Sequence, residues 1–174
     1  MRHHLRLRAY RPDDREACLR VLDSNVPEYF LASDREEVGT FLDRLEEMGV
    51  RYFVIEDEDD RGKIVACGGV AVDEKKDARM CWGMVHHARH RTGLGRVLLI
   101  ARLLEGARMG AKTASLATIP AVEGFFAKEG FALTGGEDDH YAPGMHRRDY
   151  AMTLDVELLE RRLAELAARA HLTT

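Results

Sequence analysis

With 174 residues the chain has the length of one domain and enough material to bury a core without disulfide or metal staples. Hydrophobic residues at 45% and charged residues at 32% describe a soluble globular protein, and a net charge of −4 argues against a nucleic-acid binder. Three widely spaced cysteines (Cys18, Cys67 and Cys81) form neither a CxxC pair nor a disulfide framework, which points to the reducing cytoplasm. The start, MRHHLRLRAYRPDD, lacks the apolar stretch of a secretory signal, and no apolar run reaches the length of a membrane span.

LRLRAY (5–10) alternates as a strand, and Pro12 with two aspartates opens a helix whose apolar face is Cys18, Val21 and Leu22. SNVPEYF (24–30) reads as a loop. Ser33 and Glu36 read as a capping box for a second helix that carries Val38, Phe41, Leu42 and Leu45 and stops at Gly49. Three strands are expected next, over 50–56, 63–72 and 78–85. Their short, charged connectors favour antiparallel hairpins. A helix over 97–109 is apolar on most sides and therefore largely buried. A strand over 113–119 follows, then a helix from Pro120 to Gly130, and strands over 131–135 and 147–154. The last element is a helix over 155–170. Val156, Leu159, Leu163, Leu166 and Ala170 make its apolar stripe, with Glu157–Arg161 and Glu165–Arg169 pairs expected on the other side. That stripe calls for docking on its own domain or on a second subunit, a homodimer.

The chemistry concentrates in HHARHRTGLGR (86–96). His86 and His90 stand four apart, as zinc ligands on a helix would, but Gly93 and Gly95 place them before the helix, and no Asp, Glu or Cys stands nearby. No metal site is therefore assigned. A phosphate suits the stretch better. The first amides of a helix lack internal partners and carry partial positive charge, and glycines let an anion approach them. From Arg79 through Leu104 there is no acidic residue, while Arg89, Arg91 and Arg96 flank the glycines. A P-loop needs a lysine after the second glycine, and a dinucleotide fingerprint needs a third glycine after an early parallel strand; both fail here.

The segment His90-Arg91-Thr92-Gly93-Leu94-Gly95 resembles motif A, [QR]-x-x-G-x-[GA], of the GNAT superfamily of N-acetyltransferases, with His90 where Gln or Arg is usual. GFFAKEGF (124–131) is similar to that family's FYEKxGF element. RAYRPDD and VACGGVAV resemble its first and third strands, so the likeness runs over about residues 5–154. SNVPEYF, WGMVHHARHRTGLGR and HYAPGMHRRDYAM together resemble a bacterial group of acetyltransferases.

The resemblance implies an α/β (α+β) fold of the GNAT acyl-CoA N-acyltransferase type: a mixed, mostly antiparallel sheet flanked by helices. It assigns an acetyltransferase domain to residues 1–155 and a C-terminal amphipathic helix to 156–174. It also implies acetyl-CoA as cosubstrate and direct transfer to a primary amine of a small molecule or peptide; the net charge and the short apolar runs argue against a nucleic-acid or membrane partner. Arg91, Thr92, Gly93, Leu94, Gly95 and Arg96 with His90 would hold the pyrophosphate, and Met84, Val85 and His86 the acyl end. The family's usual carboxylate on the fourth strand is missing, so Glu28 is the first candidate base, followed by His86 or a water chain. Phe126 lines the cofactor site where a tyrosine acid is common. Tyr141, expected in a flexible loop, or Tyr29 would replace that acid. The rival reading is a non-catalytic acyl-CoA sensor, favoured by Phe126. The acidic loops 57–60 and 137–139 suit a cationic amine.

Overall fold

The computed structural model describes residues 4–174; the first three residues of the N-terminal stretch read above lie outside the described residues. β1 (Leu5–Ala9) buries Leu5 and Leu7 and exposes Arg6, the alternation of a strand with one covered face. Pro12 opens a short 3-10 turn that runs into α1 (Arg15–Asp23). Asp14 accepts from the Arg11 amide at 2.8 Å and from both Arg8 Nη atoms at 2.7 and 2.9 Å. Burial opposes the Asp14 carboxylate, but the Arg8 guanidinium and the Arg11 amide outweigh it and hold its pKa below the ordinary value.

The chain continues through α2 (Asp34–Leu42), β2 (Arg51–Asp57), β3 (Lys63–Val72), β4 (Asp77–Val85), α3 (Leu94–Arg108), β5 (Thr113–Thr118) and α4 (Pro120–Lys128). It ends with β6 (Ala132–Ala142), β7 (Met145–Thr153), α5 (Val156–Ala170) and the two-residue β8 (Leu172–Thr173). One sheet holds all the strands in the order β6-β7-β5-β4-β3-β2-β1-β8. β4–β5 and β1–β8 are parallel and the other neighbours antiparallel, so the mixed, mostly antiparallel sheet is the expected one. β4 and β5 pair only from Asp77↔Thr113 to Arg79↔Ser115 and then part, which leaves a gap at the C-terminal end of β4.

Each sheet face has its own core. Cys18, Leu19, Val21 and Leu22 of α1 and Val38 and Leu42 of α2 pack on Tyr52, Val54, Cys67 and Met84. The opposite face is covered by α3, whose fifteen residues include ten buried ones, as an all-round apolar helix requires. α5 lies over α3, with Leu159, Leu163 and Leu166 against Leu99, Ile100 and Leu103. Among the described residues no helix is long and apolar enough to cross a membrane.

Five local expectations are revised. Ser33 makes no side-chain cap; the Asp34 carboxylate instead accepts from the Leu31 amide at 2.8 Å, and α2 ends at Leu42, before Leu45. Val156 is 43% exposed, so the buried stripe of α5 begins at Leu159. Among the described residues neither Glu157–Arg161 nor Glu165–Arg169 forms an ion pair; α5 instead pairs other residues with other elements, Glu160 with Arg108 at 3.7 Å and Arg162 with Glu129. The expected loop around residue 141 is strand: β6 runs on to Ala142, and the hairpin turns through Pro143 and Gly144.

Candidate active site

The gap beside β4 is shaped by a kink. The β3–β4 register slips between Cys67↔Met84 and Gly69↔Cys81, and Trp82 has φ +39°, a conformation that costs a bulky residue steric energy. The Tyr52 hydroxyl donates to the Trp82 carbonyl at 2.9 Å and holds the kink from the α1–α2 side. Phe30 lies against the Trp82 ring, centroids 6.0 Å apart. Beyond the kink the strand end is pinned. The His86 N–H donates to the Val65 carbonyl at 2.8 Å. The Val85 carbonyl accepts from Asn25 Nδ2 at 2.9 Å and bonds His90 Nε2 at 3.0 Å. Because successive residues of a strand point their N–H groups to opposite sides, the Val85 N–H faces the gap. The expected window for an acyl-facing amide, Met84 to His86, therefore narrows: the His86 N–H is already used on β3.

A 3-10 turn, His87–Arg89, carries the chain towards α3. Ser24 Oγ accepts from the His87 amide at 3.0 Å, and Arg89 pairs with the fully buried Asp57. Thr92 Oγ1 donates to the Arg89 carbonyl at 2.7 Å. Gly93, at φ +92°, caps α3 in a left-handed conformation that glycine adopts without strain. The Arg96 and Val97 amides both donate to the Gly93 carbonyl at 3.1 Å. The five N–H groups of Arg91 through Gly95 have no acceptor among the described residues. Five bare amides at the start of a fifteen-residue helix form an anion cradle, with the helix dipole behind them. Of the three arginines beside it, Arg89 is paired with Asp57 and Arg96 with Glu129 at 2.6 Å, while Arg91 makes no ion pair among the described residues. Glu129 is buried between Arg96 and Arg162, so α5 reaches the cradle through one carboxylate.

The sequence candidates thus divide. Arg91, Thr92, Gly93 and Gly95 lie at the cradle, and Leu94 contributes its amide while its side chain is buried. The ring of His90 turns inward to Val85 and packs edge-on against Tyr29 at 5.3 Å. Met84 is buried in the α1–α2 core. Phe126 packs between Phe125 and Phe131, ring centroids 5.0 and 5.9 Å away. Glu28 is exposed and meets His87 Nε2 at 3.3 Å, at the mouth of the same turn. His86 faces a cavity lined by Asp14, Arg20, Arg61 and Lys63; burial first, then Lys63 and its neighbouring cations, lower its pKa. Tyr141 sits near the hairpin tip. Burial raises its pKa, and the charges of Arg147, Asp149, Asp34 and Glu37 also act on it, so the tip reaches towards α2. No hydrogen bond links Glu28 to Tyr141 among the described residues. No group of three or more His, Cys, Asp or Glu side chains among them is placed to hold a metal ion.

Asn25, Tyr52, Arg102, Glu129 and the Tyr150–Glu123 pair (3.3 Å) are absent from the sequence reading. Arg102 alone left a signal there: a charge inside the run VLLIARLLEG.

Residues 49–133 match the sequence model of the acetyltransferase (GNAT) domain. No curated protein sequence matches the chain. Among solved structures, an acetyltransferase of the GNAT family from Staphylococcus aureus Mu50 superposes with a TM-score of 0.71 at 15% identity, over 87% of this chain and 99% of that one. The ribosomal-protein-S18-alanine N-acetyltransferase of Escherichia coli gives a TM-score of 0.71 at 18% identity, over 87% and 94%. An aminoglycoside 6′-N-acetyltransferase complexed with coenzyme A gives 0.68 at 15%, over 84% and 96%. At these identities the likeness is one of fold. Together with the domain match, it gives the chain the fold of GNAT acetyltransferases, with that domain's sequence pattern over residues 49–133.

Proposed function

We propose that the protein is an acetyl-CoA-dependent N-acetyltransferase that acts on a primary amine of a small molecule or peptide. The observation that carries this reading is the row of five bare amides at residues 91–95, beside the gap that opens between β4 and β5. Such a row with Arg91 next to it matches the charge and spread of a pyrophosphate, and the gap matches a slender thiol-bearing arm leading away from it. The CoA complex of the aminoglycoside acetyltransferase supports the same ligand class.

The chemistry joins an amine nitrogen to the thioester carbonyl carbon and breaks the C–S bond. The nitrogen loses a proton, and the departing thiolate gains one. The Val85 N–H, turned into the gap, donates to the carbonyl oxygen as negative charge develops there. Glu28 and His87, paired at the mouth of the turn, carry the amine proton to solvent. Tyr141, a phenol that is protonated at neutral pH and whose partial burial raises its pKa further, supplies the proton for the thiolate in place of Phe126. Three free cysteines, two of them buried, fit a reducing compartment.

Calorimetry with acetyl-CoA, followed by a thiol-release assay over a panel of amines, tests the proposal. Binding with thiol release on at least one amine is expected. Binding without release on any amine supports the sensor reading, for which the absence of a hydroxyl at Phe126 speaks. No binding sinks both.

A further inference from the structure

Arg102 lies in the middle of α3 and is 5% exposed. A buried arginine normally meets a carboxylate, because an isolated charge in a poorly polarisable interior is costly. Arg102 has no ion pair among the described residues. Its hydrogen bonds are two long ones, from Nε to the Leu98 carbonyl at 3.3 Å and from Nη1 to the Gly69 carbonyl at 3.4 Å. Its titratable neighbours are two thiols and a phenol, Cys81, Cys67 and Tyr52. A guanidinium has five N–H groups and stays charged, so three of them have no acceptor among the described residues.

The guanidinium lies under the β4 kink, against Gly83 and Gly68. A Cβ on Gly83 would stand 2.5 Å from its Nη2, and one on Gly68 would stand 3.0 Å from its Nη1, so two facing glycines make room for it. On the other face of the sheet the Tyr52 hydroxyl holds the Trp82 carbonyl. The kink is therefore braced from both sides at adjacent residues, and a lone buried cation sits directly behind the strand that borders the gap. A chain that needed only stability would gain by placing an apolar side chain at position 102.

We propose that Arg102 is a positioning residue for acyl transfer: with Tyr52 it fixes the β4 kink, and its charge stabilises the negative charge that develops at the thioester during transfer. This rests on the acetyltransferase reading. In a medium of low dielectric constant a full charge acts strongly beyond contact distance. It favours the tetrahedral oxyanion and the leaving thiolate over the neutral thioester, the differential effect that raises turnover without tightening ground-state binding. It also bears on the missing tyrosine at Phe126, since a better stabilised thiolate depends less on a proton donor.

The test compares wild type, Arg102→Met, Arg102→Lys and Tyr52→Phe. For Arg102→Met, turnover is expected to fall at least about tenfold, a small part of what removing a direct oxyanion donor costs. Acetyl-CoA affinity is expected to stay within about twofold and the melting temperature to stay equal or rise, since an unpaired buried charge has gone. Arg102→Lys keeps the charge and is expected to retain most of the rate. Tyr52→Phe leaves the charge but loosens the kink, and should lower turnover with affinity kept. The infrared carbonyl stretch of bound acetyl-CoA gives a readout without turnover: it is expected to move to higher wavenumber in Arg102→Met. Wild-type turnover and an unmoved stretch in Arg102→Met overturn the inference. So does a loss of rate that comes with lower affinity and a lower melting temperature, which marks a structural role only. If wild type does not bind acetyl-CoA, the acetyltransferase reading itself falls; if it binds and the stretch ignores Arg102, only this inference falls.

Discussion

At the β4–α3 junction, the groups around the bare amides are tied to other elements: Val85 to Asn25, His87 to Ser24, Arg89 to Asp57 and Arg96 to Glu129. Along β6, by contrast, residues 132–141 are all exposed, and the tip charges pair within the hairpin, Asp138 with Arg148 at 3.0 Å and Glu137 with His140 at 2.8 Å. Under the proposed function, the first region holds the backbone shape that a CoA ester needs. The second is an arm that, among the described residues, is hydrogen-bonded only to itself, to its turn and to β7, so its sequence is free to vary without loosening the core. On the same proposal, the CoA ester belongs with the constrained region and acceptor choice with the arm.

The largest expected effect comes from breaking the constrained region at Gly93. Its φ of +92° puts a side chain in open space but imposes a backbone that costs ordinary residues about 1–2 kcal/mol and a β-branched one more. Gly93→Val should turn the cradle amides and lower acetyl-CoA affinity at least about tenfold, equivalent to about 1.4 kcal/mol. Gly95→Val is the control. Its Cβ would rest 3.7 Å from Val85 Cγ2 and 3.8 Å from the Phe125 ring, ordinary contacts, so a loss of only a few-fold is expected. Calorimetry on both variants, with circular dichroism as the check on folding, decides. Equal affinities for Gly93→Val and wild type would remove the cradle from the binding site.

The same contrast explains what the sequence disclosed. The cradle was legible because its causes are local: glycines at fixed spacing, no acidic residue from Arg79 to Leu104, and an apolar run behind them. The two-faced core was legible from Cys18, Val21 and Leu22 on one helix and the all-apolar run of α3 on another. The arm was not, because GGEDDHYA has neither alternation nor a buried face, and only pairing with β7 makes it strand. The kink at Trp82 was hidden for another reason. A tryptophan at positive φ has no local cause; Tyr52 and Arg102, 30 residues before and 20 after, impose it. Leu172 and Thr173 are too short a run to announce a strand, and they pair with Leu5 and Arg6 only because α5 delivers them there. In each case the missing information was tertiary.

Breaking the arm should affect rate and spare binding. Tyr141→Phe is expected to lower turnover at least about tenfold, where a general acid typically contributes about 10²- to 10⁴-fold, with acetyl-CoA affinity unchanged. The tyrosine is 39% exposed and stands on the hairpin, away from the cradle ties. Steady-state kinetics on the best amine, beside a binding titration, is the measurement. Full activity in Tyr141→Phe would clear this residue and leave Tyr29 or solvent to supply the proton. A loss of affinity with rate unchanged would place the arm on the CoA side and undo the division drawn above.

The smallest effect concerns the ties themselves. Burial, then Lys63 and the neighbouring His87, Arg89 and His90, lower the pKa of His86 from about 6.5. Between its folded pKa and 6.5 the folded protein therefore binds fewer protons at this site than the unfolded chain does. Stability from this group is fully present above 6.5 and is lost as pH falls through the folded value. Wild type should lose urea resistance on acidification below about pH 6.5, and His86→Gln, which cannot take the proton, should lose less. Because the ring is partly exposed, the difference is a shallow change of slope and no step. Urea titrations at several pH values read it, and only the difference between the two proteins counts, since every other group is common to both. Identical slopes would mean that His86 is as free as a residue on the arm, and that the constrained region begins only at Val85.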